Sequence, residues 1–227
     1  MKKILLSVSL LATSLVASAQ LAITSADNWS GVRLSYAPTT MKYDKSLGID
    51  NVNLNGFAIE YFKGISVVPN LPLLLEVGAG FEWLTYSNTE SESILGVEVK
   101  AKESFNAFTV NVPINVGYKF SLNENVALVP YIGLKARVGL SATNKLTVKA
   151  SYDGESEKES ESFNQFSEDD MGKNTMKRFL LGWQIGATAS YNQYIFGVNY
   201  GACFTNEVYN NIDSRLGAVT ISAGYTF

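Results

Sequence analysis

Alternation of apolar and polar or small residues with a period of two recurs eight times along this chain, and few folds can accept it. The clearest run is Phe105 to Phe120, where Phe108, Val110, Val112, Ile114, Val116, Tyr118 and Phe120 alternate with Thr109, Asn111, Pro113, Asn115, Gly117 and Lys119. Similar runs occupy Trp29 to Ala37, Asn53 to Gly64, Pro72 to Tyr86, Val126 to Ala142, Arg178 to Tyr191, Tyr194 to Phe204 and Leu216 to Phe227. Successive side chains of a strand point to opposite faces, so period two over this length is strand and not helix. A globular strand usually has about five or six residues, whereas a tilted membrane-spanning strand needs about nine to eleven. The length predicts an all-β, eight-stranded antiparallel transmembrane barrel.

The connections support this. After the second, fourth and sixth runs they are short: Ile65 to Leu71, Ser121 to Asn125 and Asn192-Gln193. After the others they are long, Thr143 to Lys177 most of all. Short periplasmic turns opposite long extracellular loops are the outer-membrane pattern, and the per-strand apolar signal there is too weak to show in bulk hydropathy. No apolar run of helix-spanning length follows the N-terminal segment, since Ile65 to Leu75 is broken by Pro69, Asn70 and Pro72.

That N-terminal segment reads as an export signal. Met1-Lys2-Lys3 is basic, Ile4 to Val16 is an apolar core of suitable length, and Ala17-Ser18-Ala19 is a small-x-small cleavage site. The expected organisation is a signal peptide over 1–19 and a barrel domain over 20–227. Loss of Lys2 and Lys3 takes the formal net charge from −3 to −5, which argues against nucleic acid as a partner. A single Cys, Cys203, excludes a disulfide and a Cys-based metal cluster. The absence of His removes the commonest general base and the commonest transition-metal ligand. No cofactor and no metal are expected, and the chain reads as non-enzymatic.

One face of the eight runs is aliphatic, with aromatics toward both ends. Trp29, Tyr61, Tyr118, Phe120, Tyr191, Tyr194, Tyr225 and Phe227 fall near the periplasmic ends; Tyr36, Phe57, Phe81, Trp83, Phe108 and Phe204 fall near the others. Amphipathic rings prefer the membrane interface, so this face is assigned to lipid. The other face is Gly, Ser, Thr, Asn and charged residues. It carries a candidate lumen cluster of Arg33, Glu60, Glu76, Glu82, Lys119, Lys135 and Arg137. Arg33, Glu60 and Glu76 fall at similar depth on three consecutive strands; Glu82, Lys135 and Arg137 lie nearer the outer end. The cluster reads as an ionic plug, with a gate or proton path as the alternative.

Val112-Pro113-Ile114-Asn115-Val116-Gly117-Tyr118-Lys119-Phe120 and Val129-Pro130-Tyr131-Ile132-Gly133 resemble the mid-barrel strand and strand opening of the porin-like outer-membrane β-barrel domain family, which includes PorT-type and OmpX-like small barrels. The period-two ending on Tyr225-Thr226-Phe227 resembles the C-terminal signal read by the barrel-assembly machinery. The resemblance implies a location in the outer membrane of a Gram-negative cell, with lipid and that machinery as partners, and says little about function. Two roles follow as expectations: a plugged barrel that displays loops for envelope structure, adhesion or interaction, or a narrow porin-like channel for ions or small solutes.

The segment 143–177 carries Asp153, Glu155, Glu157, Glu159, Glu161, Glu168, Asp169 and Asp170. Carboxylates suit Ca²⁺, but the spacing is not that of an EF-hand, and the segment is expected to be a solvated acidic loop. The leader makes its own prediction. Mass spectrometry of the membrane-extracted protein should find Gln20 at the N-terminus, and a mature chain beginning at Met1 would contradict it.

Overall fold

A computed structural model describes residues 29–43, 50–68, 71–94, 97–152, 155–167, 176–205 and 214–227. The expected cleavage site therefore lies outside the described residues, as do Asp153, Glu168, Asp169 and Asp170. Eleven strand segments are present: β1 (Trp29–Tyr36), β2 (Thr39–Tyr43), β3 (Val52–Ser66), β4 (Leu73–Ile94), β5 (Val97–Tyr118), β6 (Phe120–Ser121), β7 (Val126–Tyr152), β8 (Glu155–Asn164), β9 (Phe179–Tyr191), β10 (Tyr194–Cys203) and β11 (Ser214–Thr226). All pairings are antiparallel. The order runs β1-β11-β10-β9-β7-β5-β4-β3, and β1 also pairs β3, so the sheet closes on itself.

Eleven segments make eight staves. Pro38, which cannot donate to a ladder, separates β1 from β2. Both pair β3 on one side and β11 on the other, so they form one stave. β6 continues β5 past Lys119, and β8 pairs β7 alone, outside the barrel wall.

The outward face is the aliphatic one. Leu34, Ile59, Phe81, Ile132, Phe196 and Ile221 are each more than half exposed to the surroundings, although all are apolar. Arg33, Glu76, Glu82, Asn111, Asn115 and Arg137, all polar, are buried inside. That inversion of the usual globular pattern is what lipid outside and packed side chains inside require. The rings Tyr36, Phe57, Trp83 and Phe108 follow one another around the outer end at centroid distances of 5.3, 5.9 and 6.1 Å. Tyr61 and Phe227, and Tyr194 and Tyr225, pair at the periplasmic end.

Three sequence expectations are corrected. Trp29 is not in the periplasmic girdle. Its parity is that of Arg33, and its indole packs inward against Phe62 with ring centroids 5.5 Å apart, over Gly64, where a Cβ would lie 1.8 Å from Nε1. Alternation continued through Gly133, Lys135, Arg137 and Gly139 would set Ser141 toward the lumen, and it does not face it. Phe108 pairs Ser141 while Thr109 pairs Gly139, so Leu140 is an extra residue in β7. This bulge reverses parity and turns Ala142 inward, fully buried. Finally, the excursions after the third and fifth staves are largely strand. β4 and β5 pair out to Ile94 and Val97, and the acidic segment read as a solvated loop forms the hairpin β7–β8. Both faces there are solvated, so no apolar alternation marked them.

The turns are as short as the sequence implies. Asn192-Gln193 joins β9 to β10, with Asn192 at φ 51°, in the left-handed region that Asn tolerates better than most residues. Pro113 interrupts its ladder: the β4–β5 pairing omits Gly78 and Ala79 opposite it.

The assignment of faces predicts the cost of misplaced charge. Val112→Arg, on the lipid face, should lower the unfolding free energy of the refolded barrel by about 2–4 kcal/mol. Ser222→Arg, which enters the lumen beside Glu60, should cost less. Urea titration in bilayers reads both, and the opposite ranking would exchange inside and outside.

Candidate functional site: the lumen

The inward positions fall into three layers. At the periplasmic end Phe62, Leu74, Val129 and Ile195 form an apolar floor, buried to 4% exposure or less, with Trp29 packed beside them. At the extracellular end Met41, Leu54, Leu84, Ala107, Ala142, Phe166, Met176, Leu180, Cys203 and Leu216 form an apolar cap. Phe166 comes from beyond β8 and is held over the mouth. Its ring lies 4.6 Å beneath the Arg178 guanidinium, and Gly139 leaves the space it fills. Between floor and cap lie the charges.

Six of the seven candidate residues meet in two networks. In the first, Arg33 Nη2 lies 2.7 Å from Glu60 Oε1 and also pairs with Glu76 Oε1. Arg33 Nε donates to Glu60 at 2.8 Å, and the guanidinium rests 4.6 Å over the Phe62 ring. Asn115 Nδ2 donates to Glu76 at 3.2 Å, and Gln184 Nε2 donates to Asn115 Oδ1 at 2.6 Å. The chain Glu60–Arg33–Glu76–Asn115–Gln184 thus crosses the bore from β3 to β9. In the second network Glu82, fully buried, takes Arg137 Nε at 3.1 Å and Lys135 Nζ at 3.9 Å, and accepts from Asn111 Nδ2 at 2.9 Å. Arg137 Nη1 reaches Cys203 Sγ at 3.9 Å. Lys119 joins neither network. It sits at the periplasmic end between β5 and β6, where its N–H donates to Pro72 O.

Sequence reasoning missed Phe62, Asn115 and Gln184 as network members. Their inward parity was visible, but cross-strand register decides which inward residues share a level, and a single sequence does not carry it. Glycine made room: a Cβ at Gly78 would lie 2.9 Å from Glu60 Oε1, and one at Gly133 2.2 Å from Asn115 Oδ1. At the extracellular mouth a cavity of about 240 Å³ opens among Met41, Leu54, Tyr86, Phe105 and Met176; within the charged middle the voids are small. One of about 30 Å³ lies among Arg33, Glu60, Glu82 and Lys135, and another of about 20 Å³ beside Arg137 and Cys203. Each has room for a water or two. Among the described residues no three acidic, His or Cys side chains converge on a point that could hold a metal.

Tyr225 and Phe227 end the last stave. Tyr225 Oη donates to Gln193 Oε1 at 2.6 Å, and the Phe227 N–H donates to Ser30 O at 2.9 Å. The last strand therefore closes against the first.

A closed sheet with an apolar belt outside and a polar interior defines an integral outer-membrane β-barrel, and the protein resides in the bacterial outer membrane in association with its lipid. The family follows from the sequence match: the chain belongs to the autotransporter beta-domain family, whose model matches residues 12–142. No curated protein matches the chain. Among solved structures it is similar to Ail, the attachment invasion locus protein of Yersinia pestis, in complex with the heparin analogue sucrose octasulfate (17% identity, 88% of this chain and 99% of that one, TM-score 0.40). It is similar to Neisserial surface protein A (14%, 87% and 97%, 0.42) and to the outer membrane protease OmpT from Escherichia coli (12%, 92% and 99%, 0.35).

The first network gives a quantitative expectation. Arg33→Ala leaves two buried carboxylates without their cation, and unpairing a buried ion costs about 3–5 kcal/mol. Replacing Arg33, Glu60 and Glu76 together by apolar residues should cost less than the single change. Urea unfolding of both variants in bilayers checks the order; equal loss in the two would mean that packing, and not charge, holds this layer.

Proposed function

We propose that this protein is a non-enzymatic barrel of the small PorT-type or OmpX-like kind, whose lumen is a structural plug and whose working part is the sheet it raises above the membrane. The observation that carries this reading is the three-layer lumen. The ionic middle and the apolar floor beneath it hold voids of only about 10 to 30 Å³, too small for a continuous water path, and the cavity of about 240 Å³ at the mouth is lined by none of the paired charges. The absence of His and the burial of Cys203 beside Arg137 support a non-catalytic role. The envelope-structure, adhesion or interaction role then falls to the extracellular parts of β4, β5, β7 and β8. The ladder of Tyr225 and Phe227 at the barrel seam is consistent with recognition by the assembly machinery during insertion.

The second reading, a narrow channel for ions or small solutes, is favoured by the two small voids on either side of Lys135. Conduction through them needs Arg33 or Arg137 to swing aside. Planar-bilayer recording separates the readings. The wild-type barrel should show no stable open steps, and Glu82→Ala, which releases Arg137 and Lys135, should introduce leak. Regular wild-type steps of constant size would favour the channel.

A further inference from the structure

The strands that rise beyond the aromatic belt sort their charges by face. Antiparallel partners share a face, so the register sorts the described side chains of the extension by face. Continuing the lipid-facing parity are rows Thr85/Asn106/Thr143/Asn164, Ser87/Ser104/Lys145/Ser162, Thr89/Lys102/Thr147/Ser160, Ser91/Lys100/Lys149/Lys158 and Ser93/Glu98/Ser151/Ser156. The lumen-side parity carries Glu90, Glu92, Glu103, Glu155, Glu157, Glu159 and Glu161. Among the described residues all five lysines of the extension are on the outward face, and every acid but Glu98 is on the other.

The row Lys100, Lys149, Lys158 places three ammonium groups on adjacent strands, roughly 5 Å apart at the backbone. Like charges directly opposite one another destabilise a sheet. Here Glu98 holds Lys100 at 2.9 Å, while among the described residues no ion pair holds Lys102, Lys145, Lys149 or Lys158. A face that keeps uncompensated like charges side by side is matched to an anion supplied from outside. Ser and Thr hydroxyls fill the positions between, and Lys is a compact point charge suited to phosphate.

The position of the face selects the source. β4 and β5 leave the membrane as continuous strands, and β7 does so with one bulge at Leu140, so the lysine face stands above the lipid surface that Phe81, Trp83 and Phe108 cover. Its rows climb from the belt at roughly 7 Å per two residues along the strand. We infer that this lysine face binds the phosphate-bearing saccharide of the glycolipid in the outer leaflet around the barrel, with Lys100, Lys149 and Lys158 as its centre. The inference does not depend on whether the lumen conducts.

The test refolds the full chain into liposomes of neutral phosphatidylcholine, alone, with lipopolysaccharide, or with lipopolysaccharide stripped of phosphate. A brief pulse of an amine-acetylating reagent is read by mass spectrometry at each lysine. Lipopolysaccharide should slow acetylation of Lys100, Lys149 and Lys158 about fivefold, the factor expected for one lysine at an anionic surface. The protection should vanish with the phosphate-free glycolipid and at roughly 1 M salt, where the screening length falls to about 3 Å. Lys149→Gln, an exposed change that leaves the barrel wall intact, should reduce protection of both neighbours, since the three share one anion site. No difference between the three membranes overturns the inference. Equal protection by the phosphate-free glycolipid also overturns it, because sugar and not charge would then cover the face. Protection by a soluble sulfated polysaccharide in neutral liposomes, without protection by lipopolysaccharide, would assign the face to a soluble partner instead.

Discussion

Everything in this barrel depends on closure of the backbone ladder. In hydrocarbon an unpaired N–H or C=O has no water to turn to, and a spanning sheet is viable only without edges. The first stave achieves this by pairing twice, with β11 through Gly31 to Tyr36 and with β3 through Trp29 to Tyr36. Pro38 would open a gap there, yet the Ala37 N–H donates to Gly56 O, and Pro38 O accepts from the Val219 N–H. The ladder passes over the break to β2 with the inward parity unchanged.

Closure around eight staves leaves a bore that side chains must fill, and the fill follows from desolvation. Buried charge is tolerated where it is paired and hydrogen-bonded. Arg33 meets two carboxylates and an aromatic face, while Glu82 meets two cations and an amide. The apolar layers above and below keep water from competing for these pairs. Their cost is offset by pairing within each network and by the balance between the two, one carrying an excess carboxylate and the other an excess cation, so that removing one member harms more than removing all.

Much of this was legible in the sequence, because a barrel strand writes its two environments in alternate letters. Leu34 beside Arg33, and Val112 between Asn111 and Pro113, declare their faces without a structure. The outward side was clearer than the inward one: lipid asks for one chemistry throughout, while the lumen changes from apolar to ionic to apolar along a single stave. Leu74 alternates with Leu73 and Leu75, outward residues that are also apolar, so at that stave the floor left no contrast to read. β8 left none either, since Glu and Ser are soluble on both faces and its partner is fixed by the backbone ladder. The linkage of Arg33 to Gln184 through Glu76 and Asn115 depends on register and curvature, which alternation does not encode.

The additional residue at Leu140 has a wider effect than the kink it makes. It shifts the phase of everything distal to it in β7, and β8 inherits that phase through the hairpin. Without it, Lys145 and Lys149 would turn toward the axis and Leu146 and Val148 toward the surroundings, exchanging the chemistry that β7 and β8 present while β4 and β5 kept theirs. A barrel wall and a surface display therefore read the same chain in two frames, and a single inserted residue lets each evolve its alternation without disturbing the other.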